Sequence, residues 1–284
     1  MIVGMDTRLI EVTAGDRPGW LALAPEGHPV GSAFLRLPPG SPEAELALGV
    51  HPGERRRGIG TRLLEAAGTA ARTAGREALT CEPVEAGSPG DLFLAARGLR
   101  PVLRLTYTRL HLAEADLPEA PVPAGYRLVA WRGVVPDDLA EAFAAARPAM
   151  DDMPMDAMTF TPRPWDVERV RRVAQAVADR GDHLDTVAAV QEATGAVVAF
   201  TEVVVPADGT GDGQHYGTGV LPSHRGHGLA RWLKVEAVRR VRADFPRLSG
   251  LLADTADSNV AMRAVNESLG YRPTHRSVIY QRDL

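Results

Sequence analysis

Two short loops, rich in arginine and glycine, contain the residues of this sequence that are best suited to bind a reactant. The first loop consists of Arg55, Arg56, Arg57, Gly58, Ile59 and Gly60, and the second of Arg225, Gly226, His227, Gly228, Leu229 and Ala230. Guanidinium groups bind phosphate oxygens through forked N–H donors, and glycine lets a backbone approach an anion closely. Each loop leads into an apolar segment of helical period, whose first unpaired N–H groups would face the same anion. The pattern predicts two phosphate-binding turns.

Two common nucleotide-binding motifs do not fit these loops. A dinucleotide-binding turn of the G-x-G-x-x-G type would need a third glycine, and Leu63 stands at that position after Gly58 and Gly60. A P-loop requires Gly-Lys followed by Ser or Thr, and neither loop contains that sequence. The phosphate is therefore expected to belong to another kind of ligand.

The loops are part of an internal repeat, so two copies of one fold must position them. The first loop and the residues before it recur 170 positions later, and Gly98-Leu99-Arg100-Pro101 recurs 172 positions later as Gly270-Tyr271-Arg272-Pro273. In each copy, periodicity predicts short strands before the loop and a helix after it, at 60–74 and 229–243. Two further helical segments, 136–146 and 165–179, occur in the second copy only. Both copies are predicted to be mixed α/β.

A short segment rich in proline and acidic residues separates the copies. Residues 116–124 contain three prolines together with Asp116 and Glu119, and they show no apolar periodicity. Such a composition is typical of a semi-rigid linker. We therefore expect an N-terminal domain at 1–115 and a C-terminal domain at 125–284.

Composition excludes several classes of function. The 284 residues carry a formal net charge of -4, which does not favour a nucleic-acid surface. No apolar run approaches the roughly 20 residues of a membrane span, and the first residues lack a signal-peptide pattern. Cys81 is the only cysteine, and the histidines have no metal-ligand spacing. We expect a cytoplasmic protein without metal, nucleic-acid or membrane partners; a monomer and a homodimer both stay open.

The two loops match, at every defining position, the R/Q-x-x-G-x-G/A turn of the GNAT superfamily of N-acetyltransferases. Downstream, the segment from Asn259 to Leu269-Gly270-Tyr271 resembles the closing signature of that superfamily. The resemblance implies an α/β (α+β) fold class with two tandem GNAT folds. Each would be a mixed, mostly antiparallel sheet with a splayed central strand pair flanked by helices, and the N-terminal copy would be reduced. This two-copy arrangement is similar to that of mycothiol synthases.

The resemblance further implies acetyl-CoA as cosubstrate. The loops would bind its pyrophosphate, and Asn259 would lie beside the pantetheine arm, although its position also suits a helix N-cap. A backbone N–H near Val220 would face the thioester oxygen as it becomes an oxyanion. Backbone groups of the strands before the loops would bind the pantetheine, at Thr218, Gly219 and Val220 and at Leu48, Gly49 and Val50.

The N-terminal copy departs from the family pattern. By the 172-residue offset, Gly87 stands opposite Asn259 and Leu94 opposite Asn266. The helical pair that would form an acceptor wall is also absent from this copy. We expect this copy to be catalytically degenerate. It either still holds CoA or serves as a scaffold with a vestigial loop.

An amine acceptor requires a base, and the candidates are Glu202 and His215. Glu202 lies within a predicted strand, and His215 stands at the start of the strand predicted near 216–221, before the second loop. Glu202 can alternatively be an outward-facing strand residue, and His215 a histidine of a Gly/Asp-rich turn. Asn266 occupies the position of the tyrosine that protonates the leaving thiolate in many family members. The general acid therefore stays open among water, Tyr216 and Tyr271.

The loop between the two extra helices is expected to bind the acceptor through Asp151, Asp152, Met153 and Met155. Methionines provide an adaptable apolar lining, and aspartates attract cations. The expected function is transfer of an acetyl group to the primary amine of a small cationic molecule. Three alternatives stay open: a solvated acidic loop without this role, acetylation of a cysteinyl amine as in mycothiol synthases, and a non-catalytic acyl-CoA sensor or scaffold. The acyl chain is open as well.

Overall fold

Apolar residues alternate along the strands of the first repeat, as in a sheet that has one face on a core. Ala33 and Leu35, and likewise Ala44 and Leu46, are buried, whereas the residues between them are less buried. The structure is a computed structural model that describes residues 7–158 and 162–284. Its first four strands pair antiparallel in chain order: β1 (Arg8–Ala14), β2 (Arg17–Leu23), β3 (Pro29–Arg36) and β4 (Glu43–Val50).

Helix α1 (Ile59–Thr73) follows the first arginine-glycine loop and buries Leu63 and Leu64 in the core of these strands. It returns the chain so that the next strand, β5 (Ala78–Cys81), pairs parallel with β4. The remaining elements of this repeat are β6 (Val84–Glu85), α2 (Pro89–Ala96) and β7 (Arg100–His111).

The second repeat has the same order with two inserted helices. Its elements are β8 (Tyr126–Arg132), α3 (Asp137–Ala146), α4 (Val167–Ala178), β9 (His183–Gln191), β10 (Val197–Val205), β11 (Gly211–Val220), α5 (Leu229–Asp244), β12 (Leu248–Ala256), α6 (Val260–Ser268) and β13 (Arg272–Asp283). The prediction of two extra helices is confirmed by α3 and α4, whereas β1 and β2 are joined by a turn at Gly15 and Asp16.

Helices cover both faces of the sheet in the second repeat. Helix α5 buries Leu233 and Val238 in one core cluster with residues of β9 and β10. Helix α3 lies over the opposite face, where the Phe143 ring meets the Phe200 ring edge-on at a centroid distance of 5.2 Å. The mixed α/β, mostly antiparallel fold that the sequence predicts is confirmed.

In both repeats, the strand before the arginine-glycine loop separates from its parallel neighbour. Strand β4 pairs with β5 only up to Leu46, and β11 pairs with β12 only up to Gln214. The last residues of β4 and β11 therefore have one edge without a strand partner. We call each of these openings a fork: the first fork lies between β4 and β5, and the second fork between β11 and β12.

The chain forms two compact units that do not follow chain order. The first unit contains residues 7–104, 155–158 and 276–284, and the second contains 105–154 and 162–275. In the second unit, Leu105–His111 of β7 pairs antiparallel with Gly250–Ala256 of β12. In the first unit, Gln281–Asp283 of β13 pairs with Ala78–Thr80 of β5. Each repeat thus gives its last strand to the unit of the other repeat, and the domain boundaries at 115 and 125 stay a prediction.

Candidate functional site

The two arginine-glycine loops have the same local geometry. A short 3₁₀ turn precedes each loop, and the first arginine of the loop bends back so that its Nε donates to the last carbonyl of the strand. The Arg225–Val220 distance is 3.1 Å and the Arg55–Val50 distance 3.2 Å. Gly228 and Gly58 follow with φ values of 76° and 80°, which glycine adopts without strain. These glycines turn the backbone into the N-termini of α5 and α1, as the anion-binding prediction requires.

A cleft of about 420 Å³ lies at the second fork. It contains nine of the residues predicted to bind the cosubstrate: Thr218, Gly219, Val220, Arg225, Gly226, Gly228, Leu229, Ala230 and Asn259. His227 does not line this cleft, and its ring lies 6.0 Å from that of Tyr126. Asn259 does cap α6, because its Oδ1 accepts a hydrogen bond from Met262 N at 3.2 Å. Asn259 therefore both caps α6 and lines the cleft.

The segment after α3, which includes Ala149, Met150, Asp152 and Met153, lies over β11, and we call this segment the wall. A Cβ placed on Gly219 would lie 3.0 Å from the Cβ of Ala149, and one on Gly217 would lie 3.2 Å from Cε of Met150. The absence of side chains at these two positions thus lets the wall approach the strand. Asp152 and Met153 line the cleft, whereas Asp151 and Met155 do not. Arg225 binds Asp152 at 2.6 Å, so the charge of this aspartate is already paired.

The first fork has no such wall among the described residues. A Cβ on Gly49, which corresponds to Gly219, would have nothing within 4 Å. The ring of Phe93 lies 3.2 Å from a Cβ placed on Gly60 and therefore packs against the first turn of α1. By the 172-residue offset, Phe93 corresponds to Val265, which lines the cleft of the second fork. The Phe93 ring thus occupies space beside the first loop, whereas the corresponding space beside the second loop, next to the smaller Val265, is open.

The two predicted bases lie on opposite faces of the sheet. Glu202 is buried among residues of α3 and α4, and its Oε2 accepts a hydrogen bond from Arg147 at 2.6 Å. The Arg147 guanidinium in turn lies 4.2 Å from the ring centre of Trp165. Sequence reasoning missed this ion pair, because Arg147 stands 55 positions from Glu202 and carries no motif.

His215 is a buried residue in the middle of β11, and not at the start of the strand as the sequence predicted. Its Nδ1 contacts the hydroxyl of Tyr271, and its Nε2 has no partner in the described part of the chain. Burial, together with the nearby charge of Lys234, holds the pKa of His215 well below 6.5. Burial lowers the pKa of Lys234 to about 7 and raises that of Tyr271 well above 10.

Asn266, which takes the place of the family tyrosine, is buried and donates from Nδ2 to Thr255 Oγ1 at 3.1 Å. The amide is thus held by a neighbouring strand. Tyr216 is 52% exposed at a bulge of β11, where the pairing with β10 shifts register.

Comparison with known proteins identifies the class. The Acetyltransferase (GNAT) family matches residues 4–89 and 150–271. A mycothiol acetyltransferase of Nocardia farcinica is 32% identical over 263 residues, which cover 90% of this chain and 80% of that protein. A mycothiol acetyltransferase of Thermomonospora curvata is 28% identical and covers 96% of this chain and 85% of its own length.

A tandem GNAT protein from the clavulanic acid biosynthesis pathway has a similar solved structure, with a TM-score of 0.76, 29% identity, and coverage of 94% of this chain and 82% of that one. A GCN5-related N-acetyltransferase from Sphaerobacter thermophilus, at 20% identity and a TM-score of 0.73, shares the fold over 93% of this chain and 80% of its own. This chain belongs to the GNAT acetyltransferase family. It is an N-acetyltransferase with two tandem GNAT copies, and acetyltransferases of its family use acetyl-CoA.

Two further properties concern the described residues alone. Within 7–158 and 162–284, no group of three or more His, Cys, Asp or Glu side chains could hold a metal ion. No helix in the same ranges is long and apolar enough to cross a membrane.

Proposed function

We propose that the second fork binds acetyl-CoA and transfers its acetyl group directly to a primary amine. The observation that supports this proposal best is the cleft, because it joins the turn at Gly228, the free edge of β11 and Asn259 in one cavity. The pyrophosphate would bind the N–H groups at the start of α5. The amides of the pantetheine arm would pair with the backbone of β11 beyond Gln214, where β12 no longer pairs with it.

The transfer forms one bond and breaks one. The neutral amine nitrogen attacks the thioester carbonyl, the C–N bond forms, the C–S bond breaks, and CoA leaves as a thiolate. The nitrogen loses one proton in this step. Neither predicted base lines the cleft, because Glu202 is paired with Arg147 and His215 is buried on the opposite face of the sheet from the wall. The proton of the nitrogen would therefore pass to solvent water at the open cleft.

A cysteinyl amine is the second candidate acceptor. It is favoured by the relatives named mycothiol acetyltransferase, which are 28% to 32% identical over most of this chain. Met153 lines the cleft, and Met150 of the same wall lies next to Gly217. Both side chains would suit the apolar part of either acceptor.

The test measures CoA release together with mass spectrometry of the acceptors, using cationic amines and cysteine amide. An N-acetylated cationic amine supports a small cationic acceptor. An N-acetylated cysteine amide with its thiol still free supports a cysteinyl amine as the acceptor. Binding of acetyl-CoA without release for any amine would favour a sensor or scaffold instead.

The repeat provides a matched control for the binding step. Gly228→Ala and Gly58→Ala introduce the same left-handed strain, and at both positions the new Cβ meets nothing within 4 Å. Calorimetric titration of acetyl-CoA should show a loss of at least tenfold in affinity for Gly228→Ala, because its Cβ would point toward the phosphate. Gly58→Ala should leave the affinity unchanged. An equal loss in both variants would contradict the assignment of the site to the second fork.

A further inference from the structure

A single carboxylate stands at the point where the strands of the second fork separate. The last paired residues are Gln214 of β11 and Leu252 of β12. Asp254 lies two positions beyond Leu252 and so faces the same side of the sheet. Gln214 Nε2 donates to Asp254 Oδ1 at 3.2 Å, which holds the carboxylate beside the opening.

The carboxylate of Asp254 has no counter-ion among the described residues, and its side-chain partner is the neutral amide of Gln214. The neighbouring arginine on this side of the sheet, Arg109, binds Asp212 at 2.8 Å and also contacts His111. Across the β7–β12 pair, Asp254 stands opposite Tyr107. The ring of His275 stacks on that of Tyr107 with centroids 4.3 Å apart. An aromatic ring beside an unpaired carboxylate is a common environment for an ammonium group.

Two other carboxylates of the acceptor side are already paired with arginines. Asp152 is paired with Arg225, and Glu202 with Arg147. The wall residue Met150 lies over Gly217, on the face of β11 that also carries Gln214. Asp254 thus lacks the arginine partner that each of these two carboxylates has.

The position of Asp254 also destabilises its charge. Asp254 is an exposed residue, yet its neighbours remove part of the water around its carboxylate. This burial raises the pKa of Asp254, and burial together with the charge of Asp254 raises the pKa of Tyr107. A partly desolvated carboxylate without a cation costs folding stability. Such a cost is typical of a group that serves a ligand.

We propose that Asp254 is the acceptor-recognition residue and binds an ammonium group of the acceptor, with Tyr107 beside it. This inference rests on the proposed amine acetylation. The attacking nitrogen must lose its proton, whereas a carboxylate holds a nitrogen that keeps its protons. The group at Asp254 is therefore a second cationic group, and the acceptor is a diamine or polyamine.

The experiment compares α,ω-diamines of two to six carbons with monoamines of the same length, in the wild type and in Asp254→Asn. The wild type should acetylate at least one diamine with a kcat/KM about tenfold or more above that of its monoamine. In Asp254→Asn this ratio should fall to about one, through KM, while the affinity for acetyl-CoA is unchanged. Asp208→Asn, at an exposed turn away from the fork, should retain the wild-type ratio.

A thermal melt separates recognition from a structural role. Because Asp254→Asn removes a partly desolvated charge, its Tm at pH 7 should rise by ~2 °C. A falling Tm together with an unchanged diamine-to-monoamine ratio would overturn the assignment of Asp254. Equal rates for diamines and monoamines in the wild type would overturn it too, while the proposed function would stand. Acetyl-CoA binding without acetylation of any amine would instead overturn the proposed function.

Discussion

Lys234 is the only lysine in the sequence, and it is buried in α5 with its Nζ 5.2 Å from the ring centre of Tyr271. It forms no ion pair with the described residues. Its neighbours are His215 and Tyr271, which contact each other. A buried ammonium without a counter-ion is costly, and burial accordingly lowers the pKa of Lys234 to about 7. The stability of the second unit is therefore expected to depend on the protonation of Lys234.

Lys234→Met should stabilise the protein near pH 7. The folded state binds the lysine proton only below about pH 7, whereas the unfolded chain binds it up to 10.5. The free energy of unfolding of the wild type should therefore rise with pH from 7 toward 10.5. The variant should lack this contribution to the rise and gain up to about 4 kcal/mol at pH 7. Urea unfolding at pH 7 and pH 9 measures both quantities, and lower stability of the variant at both pH values would contradict the prediction.

At the residue scale, the sequence predicted those features that are local in the chain. The turns at Gly58 and Gly228 and the cap at Asn259 depend on residues within a few positions of one another. The pairing of Glu202 with Arg147 and the position of Asp254 opposite Tyr107 depend on contacts between distant segments. No spacing rule could reveal these contacts, and therefore the sequence offered Glu202 as a free base and overlooked Asp254.

At the scale of elements, the two forks differ in what lies over the strand before the loop. The wall that begins after α3 reaches β11 because Gly217 and Gly219 have no side chains. The sequence predicted the helices to within about two residues, since amphipathic periodicity is strong over ten or more positions. It placed the start of β11 at 216 and not at Gly211, because glycine and aspartate there indicated a turn. Pairing with β10 and β12 overrides that local preference.

Gly219→Ala and Gly49→Ala test the wall with equivalent positions of the two repeats. The Gly219 variant would place its Cβ 3.0 Å from that of Ala149, and overpacking of this kind costs about 1–3 kcal/mol. The Gly49 variant meets nothing within 4 Å, and replacement of a strand glycine by alanine is expected to be neutral or stabilising by up to ~1 kcal/mol. Chemical denaturation measures both variants, and acceptor KM should change only in Gly219→Ala. Equal stability of the two variants would contradict this prediction, because it would show that the wall moves away from the new methyl group without a cost in stability.

At the scale of the whole molecule, each repeat depends on the last strand of the other. Strand β12 pairs with Leu105–His111, and β5 pairs with Gln281–Asp283. Repetition at a fixed offset predicted two copies of one fold. It could not predict this exchange, because equivalent strands of two similar copies satisfy the same hydrogen-bonding pattern and hydrophobic period.

Fragments 1–115 and 116–284 should therefore fail to fold separately. The second fragment lacks seven strand residues that pair with Gly250–Ala256, and it exposes the edge of β12. Circular dichroism and size-exclusion chromatography should show aggregated or unfolded fragments, and acetyl-CoA binding should return when both are refolded together. The matched control is a full chain cleaved at a protease site inserted within 116–124, which should keep its Tm within a few degrees. Cooperative folding of fragment 116–284 alone would contradict the exchange.

The strand exchange constrains how this gene can evolve. A duplicated gene normally frees one copy to be lost, but here deletion of the first repeat would also remove β7, the strand that pairs with β12. Selection on the second repeat therefore preserves β7 even where the first loop has no ligand to bind. Among descendants of this gene, substitutions should accumulate around Gly49 and Phe93 faster than along Leu105–His111. The first repeat persists because the second repeat depends on one of its strands, whatever becomes of its own binding site.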